Sequence, residues 1–222
     1  MDTQVMQKTA STEQALATNK VLRNTYALLS MTLLFSAMTA GISMAMNLPH
    51  PGLLLTLAGY FGLLFAVTRL RNSAWGLVCV FALTGFMGIT LGPILNHYLS
   101  LPGGGSIVAT AMGATGIIFL GLSAYALSSR KDFSFMGSFL FVGILVGFLA
   151  ALGAVFFEIP ALGLTVSAMF VLLMTGLILY ETSNIIHGGE TNYIMATVTL
   201  FVAIFNLFTS LLHLLGAFGG QE

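Results

Sequence analysis

Residues 135–157 read FMGSFLFVGILVGFLAALGAVFF, and residues 161–180 read ALGLTVSAMFVLLMTGLILY. Neither stretch contains a charged side chain, and only Glu158, Ile159 and Pro160 separate them. A helix needs about 20 predominantly apolar residues to cross the hydrocarbon core of a bilayer. Each stretch is long enough, so the two predict consecutive transmembrane helices joined by a short turn.

The same pattern extends over the rest of the chain. Hydrophobic residues make up 57% of its 222 residues and charged residues 6%, whereas soluble domains carry about 25% charged residues. The sequence therefore predicts an all-α polytopic membrane protein, with a polar tail at 1–24 and a seven-helix bundle at 25–222. The predicted spans are 25–46, 52–70, 75–95, 107–127, 135–157, 161–180 and 193–218.

Composition and motifs exclude several classes of function. Seven basic and seven acidic residues balance, which leaves no basic footprint for nucleic acid. The one cysteine, Cys79, cannot form an intramolecular disulfide. Neither H-E-x-x-H nor G-x-S-x-G occurs in the sequence. We therefore expect no catalytic residue, no cofactor and no metal site, and we do not expect an enzyme.

Basic residues occur in three segments: before the first span, around the junction of spans two and three, and between spans four and five. They are Lys8, Lys20, Arg23, Arg69, Arg71, Arg130 and Lys131. Positive residues are retained in the cytoplasm, so the sequence predicts a cytoplasmic N-terminus and a periplasmic C-terminus. The 24 mostly polar residues before the first apolar stretch do not resemble a cleavable signal peptide. We expect the first span to remain as an anchor.

Glu181 is the one carboxylate that directly continues an apolar span. Ionisable groups at membrane depth are costly and are functional candidates for that reason. Two interpretations stay open: a pH- or ion-sensing group inside the bundle, or an interfacial glutamate that ends the sixth span. His187 and Glu190 flank two glycines, which favours a turn over a metal site, and we expect His213 to be a packing residue.

Small residues recur in the third to fifth spans. Gly88 and Gly92 form a G-x-x-x-G motif, and Gly143 and Gly147 form another. Small residues let helix backbones approach closely where no hydrophobic effect drives association. The motifs predict close packing within one bundle, with homodimerisation as the alternative.

Several motifs resemble those of the Bax inhibitor-1 family. T-G-F-M-G at 84–88 precedes L-G-P-I-L at 91–95, and S-A-Y occupies 123–125. Y-E-T-S-N-I-I at 180–186, followed by N-Y-I at 192–194, is similar to the sixth span and following loop of that family. The resemblance extends over essentially the whole chain. It implies helix-packing roles for Gly85, Gly88, Gly92 and Pro93.

Within that family the chain resembles a bacterial branch whose members modulate the membrane-anchored AAA+ protease FtsH and are degraded by it. The resemblance implies an inner-membrane protein that competes with other FtsH substrates, with FtsH and the lipid bilayer as its partners. Binding to the HflK–HflC complex stays open. The cytoplasmic tail is implied to be where the protease starts to pull. This predicted initiation segment comprises Met1, Asp2, Thr3, Gln4, Val5, Met6, Gln7 and Lys8.

Other members of the family imply a second function, a pH-sensitive calcium leak controlled by an acidic pair on spans six and seven. The first acid of that pair matches Glu181, but the second falls on Ala203. Asn206 is the neighbouring polar residue that could form a hydrogen bond with Glu181. Arg69 or Arg71 would act as a latch. Calcium is therefore a partner only under this alternative.

Overall fold

The computed structural model describes the backbone of residues 2–219 and the side chains from residue 16 to residue 219. Seven segments of the described chain are long and apolar enough to cross a membrane, which confirms the seven-span prediction. The helices are α1 (Asp2–Ala45), α2 (Leu53–Leu70), α3 (Ala74–Leu99), α4 (Gly104–Ser129), α5 (Gly137–Phe156), α6 (Pro160–Ile186) and α7 (Tyr193–Gly219), with a 3-10 turn at Ser134–Met136 before α5.

Helix α6 continues past its predicted end at residue 180. Glu181, Thr182 and Ser183 are buried in the helix, which ends at Ile186. The prediction of a loop from residue 181 was wrong at 181–186. Hydropathy marks only the apolar part of a helix, and these polar residues are covered by neighbouring helices instead of lipid.

Helix α1 runs from Asp2 without a break into the first span, whose apolar part is Leu16–Ala45. The boundary drawn at residue 24 is therefore not a break in secondary structure. A juxtamembrane helix that continues into the span gives the tail and the first transmembrane segment one rigid axis.

Helix α7 lies at the centre of the bundle. It contacts α1, α2, α3, α4 and α6, and its Phe201 is the largest fully buried side chain of the described residues. Helices α2 and α5 are peripheral, since α2 buries only Val67 and α5 only Leu140 and Gly147. The fold therefore places α7 as a core helix with the others around it.

Glycines let α3 approach α1 closely. A β-carbon at Gly88 would collide with the Thr39 hydroxyl and the Ser36 carbonyl oxygen, and one at Gly92 would collide with the Ser43 hydroxyl. A β-carbon at Gly85 would lie 2.7 Å from the nearest ring carbon of Phe35. The small residues of the T-G-F-M-G and L-G-P-I-L motifs thus lie at an interface within the bundle.

Pro93 lies inside α3 and has no backbone N–H to donate to the Ile89 carbonyl. The Ser43 hydroxyl of α1 donates to that carbonyl at 2.8 Å. A side chain from the neighbouring helix therefore replaces the hydrogen bond that proline removes, as is required inside a membrane.

Candidate functional site

The segments that follow α2, α4 and α6 meet at one end of the bundle. The Asn192 amide donates to the Arg71 carbonyl at 3.2 Å and to the Asn72 side chain at 2.9 Å. The His187 Nε2 lies 3.1 Å from the Arg130 carbonyl oxygen. Residues 17–24 of α1 border the same region. We call this the basic end, because the basic residues described by the structure lie in these segments: Lys20, Arg23, Arg69, Arg71, Arg130 and Lys131.

Glu181 lies inside this end of the bundle. Its side chain is 4% exposed, and α6 continues for five more residues after it. Asn184, later on α6, and Glu190, in the loop after α6, are polar neighbours of its carboxyl group. Because Glu181 is buried and α6 continues beyond it, the interpretation of Glu181 as an exposed interfacial residue that ends the sixth span does not hold.

Hydroxyl groups form a polar layer around the buried end of α6. The Tyr26 hydroxyl of α1 lies 3.4 Å from the Thr182 hydroxyl. The Thr197 hydroxyl of α7 donates to the Tyr193 carbonyl at 2.7 Å and lies 3.3 Å from the Thr25 carbonyl. These contacts join α1, α6 and α7 beside Glu181.

Two hydroxyl groups in the described part of the chain, those of Thr25 and Ser123, are buried with no hydrogen-bond partner. A buried unsatisfied hydroxyl costs roughly 1–3 kcal/mol. No sequence pattern points to these atoms, because serine and threonine are common in transmembrane helices and their burial depends on helix rotation.

Residues 130–134, which run from the end of α4 into the 3-10 turn before α5 and are called the 4–5 segment, are held against the end of α6 by Ser183 and His187. The Ser183 hydroxyl accepts from the Phe133 backbone N–H and donates to the Lys131 carbonyl, both at 3.0 Å. The His187 Nδ1 lies 2.8 Å from the Ser183 carbonyl oxygen. Both ring nitrogens of His187 thus lie within hydrogen-bond distance of backbone carbonyl oxygens.

Asp132 stabilises the end of the same segment that precedes α5. Its carboxylate accepts from the Ser134 backbone N–H at 2.8 Å. That hydrogen bond, helped by the Ser134 side chain and the nearby His187, holds the pKa of Asp132 below its ordinary value.

The structure does not bring Asn206 to Glu181. The Asn206 amide donates to the Val202 carbonyl of its own helix at 2.8 Å. Its side chain borders a cavity together with Met174 and Leu177, which precede Glu181 on α6. The suggested Glu181–Asn206 hydrogen bond was therefore wrong. The acidic neighbour that sequence reasoning missed is Glu190, which lies in the loop after α6.

Ala203, the position of the absent second acid, is fully buried and packs in one cluster with Ile178, one turn before Glu181. Arg69 and Arg71 lie at the same end of the bundle as Glu181. Residues 2–8 of the predicted initiation segment are helical, but their side chains lie outside the description, as does Met1 altogether.

Fold and site together define a polytopic helical membrane protein with an acidic residue enclosed at one end of its bundle. Residues 18–220 match the family described as "Inhibitor of apoptosis-promoting Bax1". The chain belongs to this Bax inhibitor-1 family, and it is a multi-pass protein of the bacterial inner membrane.

Three relatives extend the comparison. The chain is 54% identical over 201 residues to "Modulator of FtsH protease YccA" of Escherichia coli K12, covering 90% of this chain and 91% of that protein. The same identity and coverage hold for "Inner membrane protein YccA" of E. coli O6:H1. A Vibrio cholerae "Uncharacterized membrane protein" is 46% identical over 223 residues, the full length of both chains. These descriptions are of a modulator and of membrane proteins, not of enzymes.

Proposed function

We propose that this protein is an inner-membrane modulator and substrate of the FtsH protease, which it occupies in competition with other membrane substrates. The observation that carries the proposal is the 54% identity, over nine-tenths of both chains, to a protein named as the modulator of that protease. Sequences this similar over nine-tenths of both chains share a fold.

The arrangement of the helices supports the tail as the initiation segment. Helix α1 begins at the basic end, whereas α7 starts there and ends at the opposite end, where His213 contacts Ser167 at 2.8 Å. If the basic end faces the cytoplasm, a cytosolic ATPase reaches the start of α1 and not the end of α7. Because α1 is continuous from Asp2 to Ala45, a pull on the tail acts on the whole first span.

The experiment uses the full-length protein and purified FtsH reconstituted together in proteoliposomes. We expect ATP-dependent loss of the protein, and slower loss of a second membrane substrate of FtsH when both are present. Deletion of residues 2–9 should lengthen the lifetime of the protein without unfolding the bundle, so that it persists as a competitor. Deletion of 220–222, which follow α7 in the sequence, is the matched control and should leave turnover unchanged.

Two results would contradict the proposal. Equal lifetimes for the intact chain and the 2–9 deletion would exclude the tail as the initiation segment. An unchanged rate for the second substrate would exclude competition. Adding the HflK–HflC complex to the same liposomes tests whether it is a further partner.

A cation leak is a second candidate, favoured by the burial of the Glu181 side chain inside the bundle. Calcium flux into liposomes between pH 5 and 8 tests it. Under this function Glu181→Gln should remove the pH dependence of the flux, and Ala203→Asp should introduce or strengthen it. Identical flux profiles for the wild type and both variants would contradict the leak and leave the modulator function as the remaining candidate.

A further inference from the structure

A cavity of about 510 Å³ lies between α2 and α5, with α7 behind it. We call it the lateral cavity. Helix α2 packs on α3, and α5 packs on α6, but α2 and α5 do not pack on each other. Their seam is bridged by the rings of Phe61 and Phe148, which meet edge to face with centroids 5.7 Å apart. The cavity is therefore a gap between two helix pairs, whose seam is bridged by one aromatic contact.

The mouth of the lateral cavity faces the bilayer. Phe61 on α2 is 47% exposed, and Phe141 and Leu145 on α5 are 71% and 49% exposed, although all three border the cavity. In a membrane such apolar side chains are surrounded by lipid hydrocarbon. A molecule that enters through this seam must be one that the hydrocarbon phase itself supplies.

The interior of the cavity offers little to water. Thr56 donates to the Gly52 carbonyl, Thr90 to the Met87 carbonyl and Asn206 to the Val202 carbonyl, each within its own part of the chain. Tyr60 is the remaining polar side chain of the lining. A buried water needs two to four polar partners, and apolar cavities stay dry and take apolar ligands.

We propose that the lateral cavity binds one acyl chain of a membrane phospholipid, inserted between α2 and α5 as far as α7. A cavity of about 150 Å³ is enough for benzene, and ligand sites of about 300–1,000 Å³ are typical. The 510 Å³ of the lateral cavity suit a flexible hydrocarbon chain, and its aromatic and aliphatic walls match hydrocarbon over nearly all of its surface. The lipid separates the two helix pairs at this seam and fills the gap that their side chains leave.

Two glycines of α2 provide a matched pair of variants. A β-carbon at Gly59 would collide with the ring of Phe86, which borders the cavity, so Gly59→Ala pushes that ring into the space. Gly62, one turn later, has nothing within 4 Å of the same added atom. Both changes add one methyl group to one helix, but only the first reduces the cavity.

The first measurement is the phospholipid that remains bound after extraction in mild detergent, determined by native mass spectrometry. The wild-type protein and Gly62→Ala should retain one phospholipid, and Gly59→Ala should lose it. Equal retention in all three, or none in the wild type, would overturn the proposal.

The second measurement does not depend on a variant that disturbs packing. In a Trp75→Phe background, which removes the sole tryptophan, Phe170→Trp places a fluorophore in the cavity lining and Leu172→Trp places one on the lipid-facing side of the same helix, where Leu172 is 75% exposed. In vesicles of phosphatidylcholine brominated on its acyl chains, both tryptophans should be quenched to a similar extent. Quenching of the Leu172→Trp protein alone would show that no acyl chain enters.

Discussion

Gly88→Ala tests the close approach of α1 and α3 directly. The added methyl group would collide with the Thr39 hydroxyl and the Ser36 carbonyl oxygen, and it would lie 3.0 Å from the Ser36 carbonyl carbon. Because Ser36 contributes backbone atoms of a long helix, the collision is relieved only by moving α1 away from α3. Overpacking of this kind costs about 1–3 kcal/mol, which corresponds to roughly a 5- to 150-fold change in the folding equilibrium.

The loss of stability on substitution by alanine should depend on the atoms that the added methyl group meets at each glycine. Gly85→Ala meets the edge of the Phe35 ring, which can rotate, and should cost less than Gly88→Ala. Gly113→Ala on α4 has nothing within 4 Å of its added atom, so it controls for the change in helix propensity. Thermal unfolding in detergent, followed by a dye that reacts with the half-buried Cys79 thiol, measures the series.

At about 2–4 °C per kcal/mol for a chain of this size, Gly88→Ala should melt roughly 2–12 °C below Gly113→Ala, with Gly85→Ala in between. A melting temperature for Gly88→Ala equal to that of Gly113→Ala would refute the reasoning, because it would mean that α1 does not lie against Gly88.

Three further predictions follow from other contacts. A periplasm-active reporter should be active after Glu222 and inactive within 128–134; activity in the reverse pattern would contradict the orientation deduced from the basic residues. Ser43→Ala should lower the free energy of unfolding by about 1–3 kcal/mol, because it leaves the Ile89 carbonyl without a hydrogen-bond donor. The loss should be clearly smaller in a Pro93→Ala background, where residue 93 regains a backbone N–H that donates to this carbonyl. Equal losses in a double-mutant cycle would show that Ser43 and Pro93 are not coupled. Because the pKa of Asp132 is lowered, its ordering of the 4–5 segment should be present at neutral pH and lost as the pH falls through that lowered pKa. The measurement is the amide hydrogen-exchange protection factor at 130–134, corrected for the intrinsic exchange rate at each pH; it should fall with the pH, and Asp132→Asn should abolish this pH dependence.

The amino-acid sequence by itself determined the number of helices and the position of nearly every loop. The physical reason is that backbone groups in hydrocarbon must be bonded within the chain, so an apolar run such as 135–157 can only be a helix, and a polar break such as 47–51 can only be a connection. The same sequence carried the family motifs and the segregation of basic residues, because both are properties of local segments.

The tertiary structure alone decided which way each helix is rotated and what covers its polar positions. Hydropathy measures the length of a span but not its orientation about the axis, so it could not show that Glu181 is enclosed and that α6 continues to Ile186. Nor could it show that Glu190, in the loop between α6 and α7, is a neighbour of that carboxyl group. From its spacing, Asn206 lies one turn after Ala203 and is expected near Glu181. In the structure, the antiparallel packing of α6 and α7 instead places Asn206 at the same cavity as Met174 and Leu177. The lateral cavity likewise exists because α2 and α5 pack on different partners, and hydropathy does not show which helices pack together.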